Sequence, residues 1–451
     1  MAQFTVGEVL AATGGSLVGM ASSELFSGVS TNSRTLKPGE LFVALCGEHF
    51  DGHDFISQAA LKGAAGVIVS KQVAISEKVS VIMVGDTLKA LQDLACFHRR
   101  RFKFPVIAIT GSNGKTTTKD MIAAVLTSKF NVLKTEANYN NDIGLPLTLL
   151  QLSDRHQAAV VEMGMRGRGE IKRLANVANP TVGVITNVGE THLELLGTVE
   201  NIAAAKGELI ETIGNDGLAV INADIPLARG MATLTKGKVV LYGLANGATI
   251  KAVNISAAEN GTKFECVWPE GHFPVFIPAV GRHNVYNALA AIAVGLELGL
   301  SPDEASAGLK NFVAGAMRLH IETKGEYTII NDAYNASPLS MQAAIETLGT
   351  VAKGRKVAVL GDMLELGDVA VEAHRRIGKK LAAEGVQVVI TLGELAKNIA
   401  SAALKDRVAV TVACKNHDEA KEALSKLIRP GDTVLLKGSR GMQMEKVLEI
   451  F

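Results

Sequence analysis

The residues Gly111-Ser112-Asn113-Gly114-Lys115-Thr116-Thr117 carry the groups that hold a nucleoside triphosphate. Glycines let a backbone turn tightly and bare its N–H groups, a lysine neutralises phosphate oxygens, and a neighbouring hydroxyl ligates Mg2+. The usual phosphate loop has four residues between its glycines, whereas here Ser112 and Asn113 stand alone between Gly111 and Gly114. The shortening leaves the chemistry intact. Lys115 serves the β- and γ-phosphates, Thr116 serves the metal, and a helix starting near Lys115 points its positive end at the same spot.

Three further residues have types and positions that could use the phosphate. Glu162 closes the apolar run HQAAVVEMG (156–164), where a parallel strand opens into a ligand cleft, and a carboxylate there suits Mg2+. His192 follows the run PTVGVITNVG (180–189). Taken alone, a histidine at a strand end is more often a hydrogen-bonded structural residue than a ligand. Lys206 follows three alanines in NIAAAKGELI (201–210), a small, packable face that hints at burial. A lysine on a surface helix is ordinarily a solvated charge, but a buried one is deprotonated, paired or modified.

These residues need elements to hold them. FPVIAIT (104–110) is a continuous apolar run suited to a buried parallel strand, and KDMIAAVLTSKF (119–130) continues as a helix. Strand, glycine-rich loop and helix in that order are the context the loop requires. A chain of 451 residues exceeds one ordinary core, so two to four domains are expected at roughly 100–200 residues each. The short apolar runs and glycine turns of residues 1–85 read as a small α/β unit. Residues 86–314 read as a doubly wound α/β domain built on the phosphate loop, with an antiparallel patch over 238–280. Residues 315–451 read as a third, mainly parallel α/β unit with strands near 327–334, 355–363, 386–393 and 432–439. The segment 87–103 is helical, and its Arg99-Arg100-Arg101 run reads as a solvated helix end.

A net charge of +1 gives no broad field directed at nucleic acid or an anionic membrane, so neither partner is expected. No apolar run approaches the ~20 residues of a membrane helix, and the N-terminus has no basic segment followed by an apolar one. The four cysteines form no C-x-x-C pair and no metal spacing, which fits free thiols in a reducing cytoplasm.

The motifs together resemble the Mur ligases, ATP-dependent amide-forming ligases of bacterial cell-wall precursor synthesis. ITGSNGKTT (109–117), the acidic strand end, THLE (191–194) and AKGE (205–208) carry the likeness. YNNDIGLPLTLL (139–150), VEMGMRGRGEI (161–171), GRHNVYNALAA (281–291), NDAYNASPLSM (331–341), VLGDMLELG (359–367) and LLKGSRGMQME (435–445) point to the branch that uses D-alanyl-D-alanine. The resemblance spans essentially the whole chain, including TNSRTLKPGELFVALCGEHFDGHDF (31–55). It implies three domains: a central P-loop ATPase-like domain, a small N-terminal α/β domain and a C-terminal Rossmann-like domain.

The implied reaction adds D-alanyl-D-alanine to UDP-N-acetylmuramoyl-tripeptide through an acyl phosphate, in the bacterial cytoplasm, by a protein for which a monomer suffices. It further implies two Mg2+ ions, one held by Thr116 and Glu162, the other by His192 and a carbamylated Lys206. Asn287 is implied at the adenine, Asp332 at the ribose hydroxyls and Arg318 at the phosphates. Ser33 and Arg34 would hold the UDP end; Asn138, Asn140 and Asn141 the muramoyl-peptide; Asn335, Ser337, Lys437 and Ser439 the dipeptide. If ATP lies between the second and third domains, these must close, with a hinge expected at 313–317 around Ala314-Gly315-Ala316. The nearest rivals are relatives that extend folate with glutamate or add the third peptide residue. A non-catalytic nucleotide-binding module is the rival of another class.

Overall fold

A computed structural model describes residues 2–73 and 79–451. Three larger sheets occupy successive stretches of chain. In the first, Val29–Ser30, Leu41–Val43, Gly66–Val69 and Ser80–Met83 run parallel, and Ser16–Val18 adds antiparallel at one edge.

The central sheet has nine strands. Val106–Thr110 lies in its parallel part, between Ala158–Glu162 and Val182–Ile185, and all its residues are buried. A strand covered on both faces must be apolar throughout, which is why VIAIT shows no alternation. Lys238–Gly243 continues the parallel order, so the antiparallel patch begins later than the sequence suggested. It comprises Ile250–Ala258, Gly261–Trp268 and Gly271–Ile277. The helix Lys115–Thr127 packs on Arg282–Glu297, whose alanine-rich length is buried from Asn284 to Gly295 apart from Tyr286.

The third sheet orders Tyr327–Asp332, Thr433–Lys437, Lys356–Gly361, Val388–Leu392 and Val410–Cys414 in parallel, with His320–Lys324 antiparallel at the edge. Both edge strands escaped the sequence reading. Their residues are half-buried or exposed, apart from Cys414, so neither shows the apolar run of a central strand.

The arginine run is a correction. Arg99 is buried, not solvated. Its guanidinium donates to the carbonyls of Ala178 (3.0 Å), Phe102 (2.6 Å) and Asn179 (3.3 Å). Arg101 donates to the Gln3 carbonyl and to Glu8. Helix Thr87–Arg99 thereby ties the first sheet region to the central one, and one apolar core runs through both. Arg100 is exposed. Among the described residues, no helix is long and apolar enough to cross a membrane.

Candidate active site

The loop sits where strand Val106–Thr110 hands over to helix Lys115–Thr127, at the carboxyl edge of the sheet. Its glycines are sterically required. A Cβ on Gly111 would lie 1.9 Å from Thr186 Oγ1. A Cβ on Gly114, whose φ is +78°, would lie 2.7 Å from Asn287 Oδ1. The strand Val182–Ile185 leads into Thr186 and Asn187, which brace the loop. Asn187 Oδ1 accepts from the Asn113 N–H at 2.8 Å, and Thr186 Oγ1 donates to the Asn113 carbonyl at 2.7 Å. Ser112 exchanges hydrogen bonds with Gly189. The Asn113 Nδ2 is buried without a partner among the described residues, a donor at the loop that suits a phosphate oxygen.

Lys115 Nζ donates to the Gly111 carbonyl at 2.8 Å. Desolvation on the cleft wall pushes it below the ordinary lysine range, against the pull of Glu162. Thr116 Oγ1 donates to Glu162 Oε2 at 2.7 Å, and Asn140 Nδ2 donates to Glu162 Oε1 at 2.8 Å. A hydroxyl and a carboxylate in contact at the loop form an oxygen donor set that fits a hard cation such as Mg2+.

His192 and Lys206 line the same cleft. His192 precedes the short helix Leu193–Leu196 in a left-handed conformation, φ 55°. Its Nδ1 lies 2.5 Å from Glu365 Oε2. Burial pushes its pKa down, although Glu365 pulls it up. Lys206 is 1% exposed on helix Val199–Glu211. Burial, with the like charge of Lys115, pushes its pKa well below the ordinary lysine value. The surface-charge reading of Lys206 therefore fails. No salt bridge to a carboxylate forms at it among the described residues. An amine is a poor ligand for Mg2+, but a carbamate on the same nitrogen supplies oxygens, and forming it requires the neutral amine that burial favours.

The far wall comes from the third sheet. Arg318 is flanked by two left-handed residues, Met317 (φ 57°) and Leu319 (φ 49°), and its guanidinium stacks 3.9 Å from the Tyr334 ring centre. Asp332 Oδ1 accepts from the Leu319 N–H at 3.0 Å, and its Oδ2 pairs with Lys437. Lys437 Nζ also donates to the Asn335 carbonyl at 2.9 Å. Ser337 caps helix Pro338–Val351 and donates to Asn113 Oδ1 at 2.8 Å, so the third unit touches the phosphate loop directly. Ser439 accepts from the Leu364 N–H at 2.9 Å.

One cleft of about 1580 Å3 brings together Ser112 to Thr117, Asn138, Asn140, Asn141, Glu162, His192, Lys206, Asn287, Arg318, Asp332, Asn335, Ser337, Lys437 and Ser439. That exceeds the ~1,000 Å3 upper range of a single small-ligand pocket and leaves space for more than one substrate. Several members also hold structure. Asn141 Oδ1 accepts the N–H groups of Ile143 and Gly144 at a helix start. Asn287 is bonded to Thr118 and Asn284, beneath the loop. Ser33 and Arg34 do not line the cleft. Ser33 is buried against Gln58 at 2.6 Å, and Arg34 is exposed on the N-terminal unit. Sequence reasoning missed Thr186, Asn187 and Glu365; the last lies in VLGDMLELG, a stretch read for resemblance and not for its carboxylate.

A phosphate loop and a metal-suited carboxylate, faced across one cleft by residues of the third sheet region, are the parts of an ATP-dependent phosphoryl-transfer enzyme. Family models match residues 109–295 as the Mur ligase middle domain, 317–440 as the Mur ligase glutamate ligase domain, and 25–99 as the Mur ligase family catalytic domain. The chain belongs to the Mur ligase family, and it is an ATP-dependent amide-forming ligase. It is 44% identical to the UDP-N-acetylmuramoyl-tripeptide–D-alanyl-D-alanine ligase of Bacillus subtilis, over 94% of this chain and 92% of that one. Among solved structures it resembles MurF from Acinetobacter baumannii, with TM-score 0.91 and 32% identity, covering 99% of this chain and 98% of that one. It also resembles MurF ligase from Thermotoga maritima in complex with ADP, with TM-score 0.85 and 30% identity, covering 94% and 96%.

Proposed function

We propose that this chain joins D-alanyl-D-alanine to UDP-N-acetylmuramoyl-tripeptide at the expense of ATP, a late step of peptidoglycan precursor synthesis in the bacterial cytoplasm. The observation that carries the reading is the convergence of Lys115, Thr116, Glu162, His192, Lys206, Arg318 and Asp332 on one cleft. In this assignment residues 1–85 receive the UDP end through Ser33 and Arg34, 86–314 bind ATP, and 315–451 close over it and present the dipeptide. A monomer contains every part.

A carboxylate oxygen of the tripeptide attacks the γ-phosphorus of ATP. The bond from that phosphorus to the bridging oxygen breaks, and ADP leaves with its electron pair. The amine of the dipeptide then attacks the acyl carbon, loses a proton, and the tetrahedral intermediate expels inorganic phosphate. Both steps crowd negative charge, so catalysis is mainly positioning and neutralisation. Lys115 and the loop N–H groups hold the transferring phosphate, Arg318 adds charge from the third unit, and Asp332 orients the ribose. Asn287 is assigned to the adenine side. Asn138, Asn140 and Asn141 are assigned to the muramoyl-peptide, and Asn335, Ser337, Lys437 and Ser439 to the dipeptide side. Thr116 and Glu162 would hold one Mg2+, His192 and carbamylated Lys206 a second. Bound there, the ions neutralise phosphate oxygens and act as Lewis acids. The stretch 313–317 serves as the hinge for opening.

The test is phosphate release from Mg-ATP and UDP-N-acetylmuramoyl-tripeptide, with and without D-alanyl-D-alanine. Release that needs both substrates, with a product heavier by the dipeptide, supports the reading. Release instead with folate and glutamate, or with a dipeptide-level precursor and a diamino acid, moves the substrate.

A further inference from the structure

His192 and Glu365 lie on different units, 173 residues apart in the chain, yet their side chains meet, 2.5 Å from Nδ1 to Oε2. The contact is keyed at several points. Glu365 Oε1 accepts from Arg166 Nη2 at 3.2 Å. The Glu194 N–H donates to the Glu365 carbonyl at 3.3 Å. Gly367 packs so tightly that a Cβ there would lie 3.3 Å from Glu194 Cα. Arg376 pairs with Glu190 at 2.5 Å along the same junction.

Both partners also carry unusual backbone. His192 has φ 55° and Glu365 has φ 62°, the left-handed region that costs a non-glycine residue energy and persists where surrounding contacts enforce it. Two strained residues meeting head to head across a domain junction make a specified contact. Its chemical effect follows from imidazole itself. Nδ1–H donated to a carboxylate fixes the tautomer, leaves the lone pair on Nε2, and holds the ring plane. Among the described residues, this is the hydrogen bond that the His192 side chain makes.

We infer that Glu365 is a positioning residue, which aims His192 Nε2 as a metal ligand only when the C-terminal unit is docked. The inference rests on the ligase reading with His192 as a ligand. Arg166 holds the other carboxylate oxygen and sets the angle of Glu365. Closure by the third unit thus completes the second metal site as well as covering the nucleotide. A metal ligand whose free ring nitrogen is anchored by a carboxylate typically loses 10–100-fold in metal affinity when that anchor is removed.

The experiment uses the full-length protein and Mn2+ as the probe. Bound Mn2+ is counted by electron paramagnetic resonance in the presence of a non-hydrolysable ATP analogue and UDP-N-acetylmuramoyl-tripeptide. Wild type takes up two ions per chain. In Glu365→Ala the weaker ion loses roughly 10–100-fold in affinity, the tighter one changes less than about twofold, and kcat falls while KM for ATP stays within about threefold. Glu365→Gln, whose amide oxygen still accepts from Nδ1–H, recovers most of the Mn2+ affinity; where the alanine variant fails to fold, Glu365→Met, which keeps the stem but cannot accept, shows the same loss. A weaker ion that binds Glu365→Ala as it binds wild type overturns the inference, as does a single Mn2+ in wild type. Wild-type turnover with both substrates separates these outcomes from failure of the ligase reading, which would show as no turnover at all.

Discussion

The Ser337 hydroxyl, at the start of a helix in the C-terminal unit, donates to Asn113 Oδ1 in the phosphate loop at 2.8 Å. The two residues are 224 positions apart. The same serine caps its own helix in a reciprocal arrangement with Ser340. A single hydroxyl therefore ties the helix start to the loop, at the residue whose Nδ2 is buried without a partner among the described residues.

Ser337→Ala separates those effects. Loss of the cap costs the C-terminal unit about 1 kcal/mol in urea unfolding. Loss of the contact to Asn113 raises KM for ATP severalfold. ADP affinity unchanged and KM unchanged would show that the loop does not feel the third unit through this bond.

Lys206→Ala distinguishes a catalytic ligase from a nucleotide-binding module. The residue is buried on the cleft wall and takes no part in the loop's own hydrogen bonds. ADP binding, followed by fluorescence titration, stays near the wild-type value, while kcat falls at least ~10^3-fold, about 4 kcal/mol of transition-state stabilisation. A carbamate is a carboxylate on a lysine stem, so formate or acetate restores part of the activity. Wild-type protein in 13C-bicarbonate shows one carbamate carbon resonance that the variant lacks. Unaltered turnover in Lys206→Ala removes the residue from the mechanism.

The Asp332–Lys437 pair is buried and joins the cleft to the third sheet. Removing one partner strands a charge. Lys437→Met lowers the stability of the C-terminal unit by about 3–5 kcal/mol, read by denaturant unfolding. Adding Asp332→Leu recovers much of that loss, because neither charge is then left uncompensated. Activity does not recover with it, since Asp332 is also the proposed ribose contact. A double variant as active as wild type would leave the pair purely structural.

What could be read from the sequence divides along a physical line. The phosphate loop was legible because its chemistry is contiguous: Gly111 through Thr117 sit on one strand-to-helix turn. Glu162 was legible because a parallel strand must end at the cleft edge. The pairing of His192 with Glu365 was not, because nothing local marks a contact made 173 residues away. Arg99 shows the opposite error. Helical periodicity correctly ends near it, but no period reveals that the carbonyls of Ala178 and Asn179 lie within its reach. Ser33 and Arg34 sit apart from the cleft lining, so their joint use with it depends on a substrate long enough to span the units.

His374 gives the protein a stability that acid should erode. It is fully buried, its Nδ1–H donates to the Ala370 carbonyl at 2.6 Å, and its Nε2 accepts from the Met363 N–H at 3.0 Å. Both nitrogens are committed as neutral imidazole, and burial pushes the pKa below the ordinary histidine value. The unfolded chain takes up a proton near pH 6.5, but the folded chain resists it. The contribution is therefore present in full above about pH 6.5 and is lost as the pH falls through 6.5 towards the lower folded pKa. In that window each such histidine adds about 1.4 kcal/mol of lost stability per pH unit. His98, buried with Nε2–H donating to the Leu152 carbonyl at 2.9 Å, is pushed in the same direction in the helix Thr87–Arg99. Urea midpoints measured from pH 7.5 to 5.5 should fall, and His374→Gln should reduce the slope by one proton's worth in the transition of the C-terminal unit. A slope identical in wild type and variant would mean that His374 takes up its proton in the folded protein as readily as in the unfolded chain.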